Sequence, residues 1–204
     1  GGEGGMVTTD NETLMERVWS YKDHGKDVGI LNGRKPAVNG FNWVHHSFGS
    51  NYRITEMQAA IGLKQLEKID RWSFIRRQNL RSIWDAASKN PLFRVPSFRC
   101  GDVDTCVKCN CCHAAYKCYL FVDGGAKLRD KIISKFSEAE IPASVGSCSE
   151  VYLEKAFNNT EFKPTARLPN ARRLGDSAIM LRCDPMLQDD EMDDICKFIS
   201  SLRV

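Results

Sequence analysis

Gly49-Ser50-Asn51-Tyr52-Arg53-Ile54-Thr55-Glu56-Met57-Gln58-Ala59-Ala60 carries a polar cluster into the mouth of a helix. Thr55 followed three residues later by Gln58 is a capping box. Met57, Ile61, Leu63, Leu66, Ile69 and Trp72 continue from it with helical spacing, then Leu80, Ile83, Trp84 and Ala87. No glycine or proline after Gly62 interrupts the run before Asn90-Pro91. The spacing predicts a long helix within residues 54–90, about 30 residues and roughly 45 Å in length. A break at residues 71–73 is the one alternative, and Arg76, Arg77 and Arg81 are expected on its wet face. Backbone N–H groups at a helix mouth are unpaired and the dipole there is positive, which suits an anion such as phosphate. Asn51 can donate from its amide, and Arg53 adds a charge-assisted donor. The same residues have a purely structural reading, with Asn51 completing a turn and Arg53 pairing with Glu56. Both readings stay open at this point.

Upstream, residues 6–9 read as a short strand, and Asp10 as the N-cap of a helix through Leu14, Val18 and Tyr21. Gly25 stops that helix. From residue 25 to residue 51 no period holds; glycines punctuate the segment, and Phe41, Trp43, His45, His46 and Phe48 supply aromatic surface. Irregular loops of this length are uncommon inside compact domains and are often functional. The chain opens on Gly1, without Met and inside a glycine-rich turn, and is therefore expected to be a fragment of a longer protein.

After Pro91 the texture changes to short strands alternating with helices. Residues 93–95, 114–122, 143–145 and 179–182 read as strands; residues 128–139, 171–174 and 190–202 read as helices. Ser147 and Glu150 form a second capping box ahead of a short helix at residues 151–157. This pattern predicts a small α+β layer, with helices covering one sheet.

Composition excludes several classes. The 204 residues carry 29 Lys plus Arg against 26 Asp plus Glu, a formal charge of +3. Nucleic-acid surfaces show a stronger, localised basic excess. No apolar run approaches the roughly 18 residues that cross a bilayer, and no signal peptide is visible. The expected compartment is the cytoplasm, with neither nucleic acid nor membrane as partner. Of nine cysteines, Cys100, Cys106, Cys109, Cys111, Cys112 and Cys118 crowd one stretch. Cys106-Val107-Lys108-Cys109 has zinc-knuckle spacing, with Cys100, Cys111, Cys112 and His113 near enough to complete four ligands. A second pair roughly 12 to 20 residues away is missing. No metal is expected; a non-catalytic zinc or interaction module on residues 100–118 is the competing reading.

Gly2-Glu3-Gly4-Gly5-Met6-Val7-Thr8-Thr9-Asp10, followed by residues 51–60, resembles the nucleotide-sugar aminotransferases of the DegT/StrS family. Cys112-His113-Ala114-Ala115-Tyr116-Lys117-Cys118-Tyr119 is similar to the strand entering that family's small domain. Gly146-Ser147-Cys148-Ser149-Glu150-Val151-Tyr152-Leu153-Glu154-Lys155-Ala156-Phe157 and Leu168-Pro169-Asn170-Ala171 agree as well. The resemblance runs in order through nearly the whole chain.

The resemblance implies an α/β fold, the C-terminal part of a pyridoxal-phosphate-dependent transferase of fold type I. Residues 1–53 would be the end of the large domain, 54–90 a long linking helix, and 91–204 the small α+β domain. It further implies transfer of an amino group from glutamate or glutamine to a keto-sugar nucleotide in polysaccharide biosynthesis, by a homodimer with its active site at the interface. Asn51 matches the residue reaching the cofactor phosphate across that interface, with Tyr52 and Arg53 beside it. Trp43, His45 and His46 fall where the family places a substrate loop, and Ser147 and Cys148 replace part of a Tyr and Pro-Leu-His pattern, so sugar specificity does not carry over. The Schiff-base lysine of the family lies a few residues ahead of the Gly-Glu-Gly-Gly turn, which here means before Gly1. No residue of this chain matches it, and the chain alone is expected to be inactive. Gln188 stands where a Ser or Thr cap is usual, which predicts a weaker start to the last helix.

Overall fold

The computed structural model describes residues 2–30, 44–97 and 113–204, which form two compact units, residues 1–68 and 69–204. Gly1, Trp43 and the cysteines Cys100, Cys106, Cys109, Cys111 and Cys112 lie outside the described residues.

In the first unit, helix α1 (Glu12–Lys22) starts one residue later than the sequence suggests. Asn11, not Asp10, accepts from the Leu14 N–H at 2.9 Å. Both residues are good N-caps, and Thr9 settles the choice by taking the Asn11 N–H on its hydroxyl at 3.1 Å. Residues 6–9 are not a strand among the described residues, because no ladder partner pairs with them and Met6 and Val7 stay exposed. Helix α2 (Glu56–Leu66) begins with the expected capping box of Thr55 and Gln58.

The predicted single helix over residues 54–90 is two. α2 ends at Leu66, and α3 (Ile69–Ser88) follows after a turn at Glu67 and Lys68. The Lys68 N–H closes a tighter bond, to the Gln65 carbonyl at 3.0 Å. The break falls earlier than residues 71–73, since apolar spacing persists across it and no glycine or proline marks it. The two helices differ in burial: α2 buries no residue, whereas α3 buries Leu80, Ile83, Trp84, Ala86 and Ala87. Arg76, Arg77 and Arg81 are half-buried rather than wet.

The second unit holds a three-stranded antiparallel sheet built from β1 (Cys118–Phe121), β2 (Ala143–Ser144) and β3 (Ala178–Leu181), in the order β1-β3-β2. Cys118 pairs with Leu181 and Phe121 with Ala178. Burial along β1 alternates, with Cys118 and Leu120 inside, as a strand's period of two requires. Arg94 and Phe121 exchange backbone bonds of 2.7 and 2.9 Å, an isolated bridge where a strand over 93–95 is expected.

Helices α4 (Gly125–Glu138), α5 (Pro169–Ser177) and α6 (Asp189–Ser201) complete the unit. α3 packs on α6 and β1, and α4 on α5, β2 and β3. Leu80, Ile83, Leu120, Ile132, Phe136, Ile179, Leu181 and Ile199 are fully enclosed and form the core. Asn90 is buried just beyond α3, and its amide donates to the Ile199 and Leu202 carbonyls at 2.8 and 3.0 Å. It thereby satisfies orphan carbonyls at the end of α6.

Of the two caps expected from the sequence, Gln188 makes no side-chain cap bond to α6, in line with the weaker start expected, while its own N–H donates to the Glu191 carboxylate at 2.8 Å. The residue inside the helix supplies that half of the cap. Glu150 does not cap a helix with Ser147; residues 151–157 form two single 3₁₀ turns, Val151–Leu153 and Lys155–Phe157, and the Glu150 carboxylate is engaged elsewhere. No helix among the described residues is long and apolar enough to cross a membrane.

Candidate functional site

The first unit presents Asn51, Tyr52 and Arg53 on a segment latched to the end of α1. Residues 44–52 run antiparallel to residues 21–27. The Ser50 and Tyr52 N–H groups donate to the Tyr21 and Lys22 carbonyls, both at 2.9 Å, and the His46 N–H to the Gly25 carbonyl at 2.9 Å. Gly25 has φ +82°, and a Cβ there would lie 1.8 Å from the Ser47 carbonyl oxygen. Only glycine permits this approach.

Arg53 does not pair with Glu56. Its guanidinium binds the Asp23 carboxylate, which also lies 3.1 Å from the Lys26 ammonium. Asp23 is only 8% exposed. Burial would push its carboxyl up, yet the Lys26 hydrogen bond and the Arg53, Lys26 and Lys22 charges outweigh that and hold it below its ordinary value. The Asn51 side-chain oxygen accepts from the Arg53 N–H at 3.2 Å. The turn reading and the donor reading therefore use opposite ends of one carboxamide: the oxygen closes the turn, and the exposed NH2 has no partner among the described residues. At the mouth of α2 the Gln58 N–H is taken by Thr55, and the Thr55 N–H by Gln58. Tyr52 stacks on Tyr21 with ring centroids 5.8 Å apart.

His45 and His46 are exposed on the same segment. His45 is bridged by its backbone to Lys26, and His46 Nδ1 lies 3.8 Å from the Asp27 carboxylate. A cavity of about 1700 Å³ opens between residues 5–9, α1, residues 26–29 and residues 46–48 and 52, with Trp19, Phe48 and Tyr52 in its wall and Asn51 outside its lining.

Ser147 and Cys148 belong to the second unit and are exposed in the turn after β2. The Glu150 carboxylate fixes the base of that turn. It accepts from the Tyr152 hydroxyl at 2.6 Å and from Arg167 Nε at 3.0 Å, with a second guanidinium contact. The Arg167 and Tyr152 hydrogen bonds hold the Glu150 carboxyl at about 2, against an ordinary 4.5. Because the folded value is the lower one, the contribution to stability is complete above pH 4.5 and lost as the pH falls towards 2. The melting-temperature gap between wild type and Glu150→Gln is expected to stay constant from about pH 7 to about 5 and to close below about 4.5. A gap that widens with acid would contradict this.

Sequence reasoning misses Asp23, Lys117 and Tyr119. Asp23 meets Arg53 across 30 positions, a separation that no local pattern reports. Lys117 and Tyr119 fall within the strand read over residues 114–122, and their approach to Ser147, 30 and 28 positions on, has no local pattern. Among the described residues no group of three or more His, Cys, Asp or Glu is placed to hold a metal ion.

A sequence profile of the DegT/DnrJ/EryC1/StrS aminotransferase family matches residues 1–200. The spore coat polysaccharide biosynthesis protein SpsC of Bacillus subtilis (strain 168) is 27% identical over 209 residues, covering 98% of this chain and 50% of SpsC. GDP-perosamine synthase of Escherichia coli O157:H7 is 43% identical over 89 residues, 44% of this chain and 20% of that protein. The X-ray structure of an aminotransferase from Psychrobacter cryohalolentis matches with a TM-score of 0.82 and 40% identity, covering 98% of this chain and 51% of that one. The chain spans about half the length of the relatives it matches from end to end. Its mixed α/β fold is that of a portion of pyridoxal-phosphate-dependent sugar aminotransferases. With the profile running through both units, the chain belongs to the DegT/DnrJ/EryC1/StrS aminotransferase family.

Proposed function

We propose that the protein containing these residues is a cytoplasmic, homodimeric aminotransferase that moves the amino group of glutamate or glutamine onto a keto-sugar nucleotide for cell-surface polysaccharide. Family membership supports the reaction class, and relatives named for perosamine and spore coat polysaccharide synthesis support the sugar. The observation that carries the site is the Asn51 carboxamide, whose oxygen is engaged and whose NH2 is presented outward. That donor fits one contact to a cofactor phosphate. Arg53 is committed to Asp23, so its guanidinium is not a second such contact.

Bound pyridoxal phosphate supplies the electron sink for the amino transfer. In this reading the Asn51 carboxamide NH2 would hold the cofactor phosphate across the subunit interface. The Arg53 N–H orients the carboxamide, and the Asp23–Arg53 pair keeps the segment seated on α1. Tyr52, stacked on Tyr21, walls the phosphate side. His45 and His46, exposed on the segment that carries Asn51, are the substrate candidates of the first unit, and Ser147 and Cys148, exposed in the turn after β2, those of the second. No lysine of this chain is assigned the covalent role; the reading gives it to a lysine ahead of Gly1.

The test is the first half of the reaction. The gene product, given pyridoxal phosphate and L-glutamate or L-glutamine, is expected to release the corresponding 2-oxo acid stoichiometrically from at least one of them, and the same protein without cofactor is expected to release none. Release that does not depend on the cofactor, or no release from protein that has bound it, would overturn the reading.

A further inference from the structure

We propose that residues 146–168 form a flap that opens and closes as one unit beside β1, pinned by Tyr152 and caught by Glu150. The inference goes beyond the aminotransferase reading and stands or falls without it.

The segment runs from the end of β2 to Pro169, the first residue of α5, and its only regular structure is the two 3₁₀ turns. A segment opens below the cost of global unfolding where it buries little apolar surface and makes few bonds to the rest of the fold. Tyr152 is the one buried residue of the segment. Val151, Leu153, Phe162 and Leu168 stay exposed, Phe162 to 72%. The bonds made by residues 153–163 run inward. The Leu153 and Glu154 N–H groups donate to the Glu150 and Val151 carbonyls at 2.9 and 3.0 Å, and the Lys163 ammonium donates to the Asn158 side chain. The segment is thus ordered within itself and weakly attached.

Two sets of contacts hold it closed. At its base the Tyr152 hydroxyl donates to the Glu150 carboxylate at 2.6 Å and accepts the Leu168 N–H at 2.9 Å. Arg167 Nε donates to the same carboxylate at 3.0 Å, and Arg172 of α5 adds a second positive charge beside it. These bonds draw residues 150–152 against 167–168 and close the residues between them into an Ω-loop. At the other end Gly146 has φ +79°, and a Cβ there would lie 2.5 Å from the Tyr119 hydroxyl. Glycine therefore lets the turn close on the ring. The Ser147 N–H then donates to the Tyr119 oxygen at 3.0 Å. Ser149 lies against α5, so near Gly175 that a Cβ there would come within 2.3 Å of Ser149 Oγ.

A cavity of about 480 Å³ is lined by residues 113–117, Tyr119 and, from the flap, Ser147 alone. Opening withdraws Ser147 from that lining, and closing returns it. The Ser147 contact and the Tyr152 pin lie on one short stretch of backbone, so release of either loosens the other.

Hydrogen exchange resolved to single amides of the gene product tests the flap. The amides of Ser147, Leu153, Glu154 and Leu168 should share one protection factor, at least about 10-fold below that of the slowest β3 amides. Glu150→Gln keeps an acceptor but removes its charge, and should accelerate all four about 5-fold. Tyr152→Phe loses both hydroxyl bonds and should accelerate them about 10-fold. Tyr119→Phe lies outside the catch and tests the coupling even where a catch variant does not fold. It removes the acceptor of the Ser147 N–H, and should accelerate Leu168 about 3-fold although no bond to Leu168 has been altered. Acceleration confined to Leu168 in Glu150→Gln, a Leu168 amide unmoved by Tyr119→Phe, or flap amides as slow as those of β3 would overturn the proposal.

Discussion

Asn51→Asp is expected to weaken pyridoxal phosphate binding by the gene product about 100-fold, and Asn51→Ala about 10-fold. The order follows from the two ends of the side chain. Aspartate keeps an oxygen where Asn51 accepts the Arg53 N–H, so the turn survives. It loses both N–H donors and places a negative charge against a phosphate. A hydrogen bond to a charged group contributes roughly 1.5–3 kcal/mol, about 10- to 100-fold in affinity, before that repulsion is added. Alanine loses the turn acceptor and the donors but brings no charge. If Asn51 only closed a turn, the order would invert, with aspartate near wild type and alanine the worse variant. Fluorescence titration of the cofactor into the three proteins, with melting temperatures alongside, separates the two outcomes.

Gly25→Ala is expected to abolish the same contact without touching it. At φ +82° a side chain costs roughly 1–3 kcal/mol in backbone strain. The added carbon would also sit 1.8 Å from the Ser47 carbonyl oxygen, so residues 44–53 must lift from α1. The His46 and Ser47 N–H groups then lose the Gly25 carbonyl as their acceptor. Hydrogen exchange should accelerate at those amides while the α3 and α6 amides keep their protection. Cofactor affinity should fall as far as in Asn51→Ala, and combining the two substitutions should cost little more, because both remove one interaction. Effects that add in full would show that the latch and the carboxamide act separately.

What the sequence discloses here is what is local. The Thr55–Gln58 capping box is set by two residues three positions apart and appears as read, and the core positions Leu80, Ile83, Trp84 and Ala87 follow from helical spacing. The break at Glu67 and Lys68 has no such signature, because apolar spacing continues through it. Asn90 reads as a helix stop, and its hold on Ile199 and Leu202 is visible only once the fold brings together residues 109 and 112 positions apart. Glu150 reads as the partner of Ser147 in a cap; Arg167, 17 residues on, outcompetes that local bond with two charge-assisted ones. At the site, Asn51 was legible through the motif around it. The Asp23–Arg53 pair that seats it was not, since any exposed acid serves an arginine equally well in a linear reading.

The central claim is that nitrogen leaves an amino acid and arrives on a sugar nucleotide through a site to which Asn51 contributes. The direct measurement is isotopic: the gene product with pyridoxal phosphate, glutamate or glutamine 15N-labelled at the α-amino group, and a panel of keto-sugar nucleotides carrying uridine, guanosine or thymidine diphosphate, followed by mass spectrometry. The account predicts a 15N-amino sugar nucleotide from at least one member of the panel, formed at a rate that Asn51→Asp lowers about 100-fold. Cofactor-loaded protein that labels no sugar nucleotide, or labels one equally well in Asn51→Asp, would contradict it.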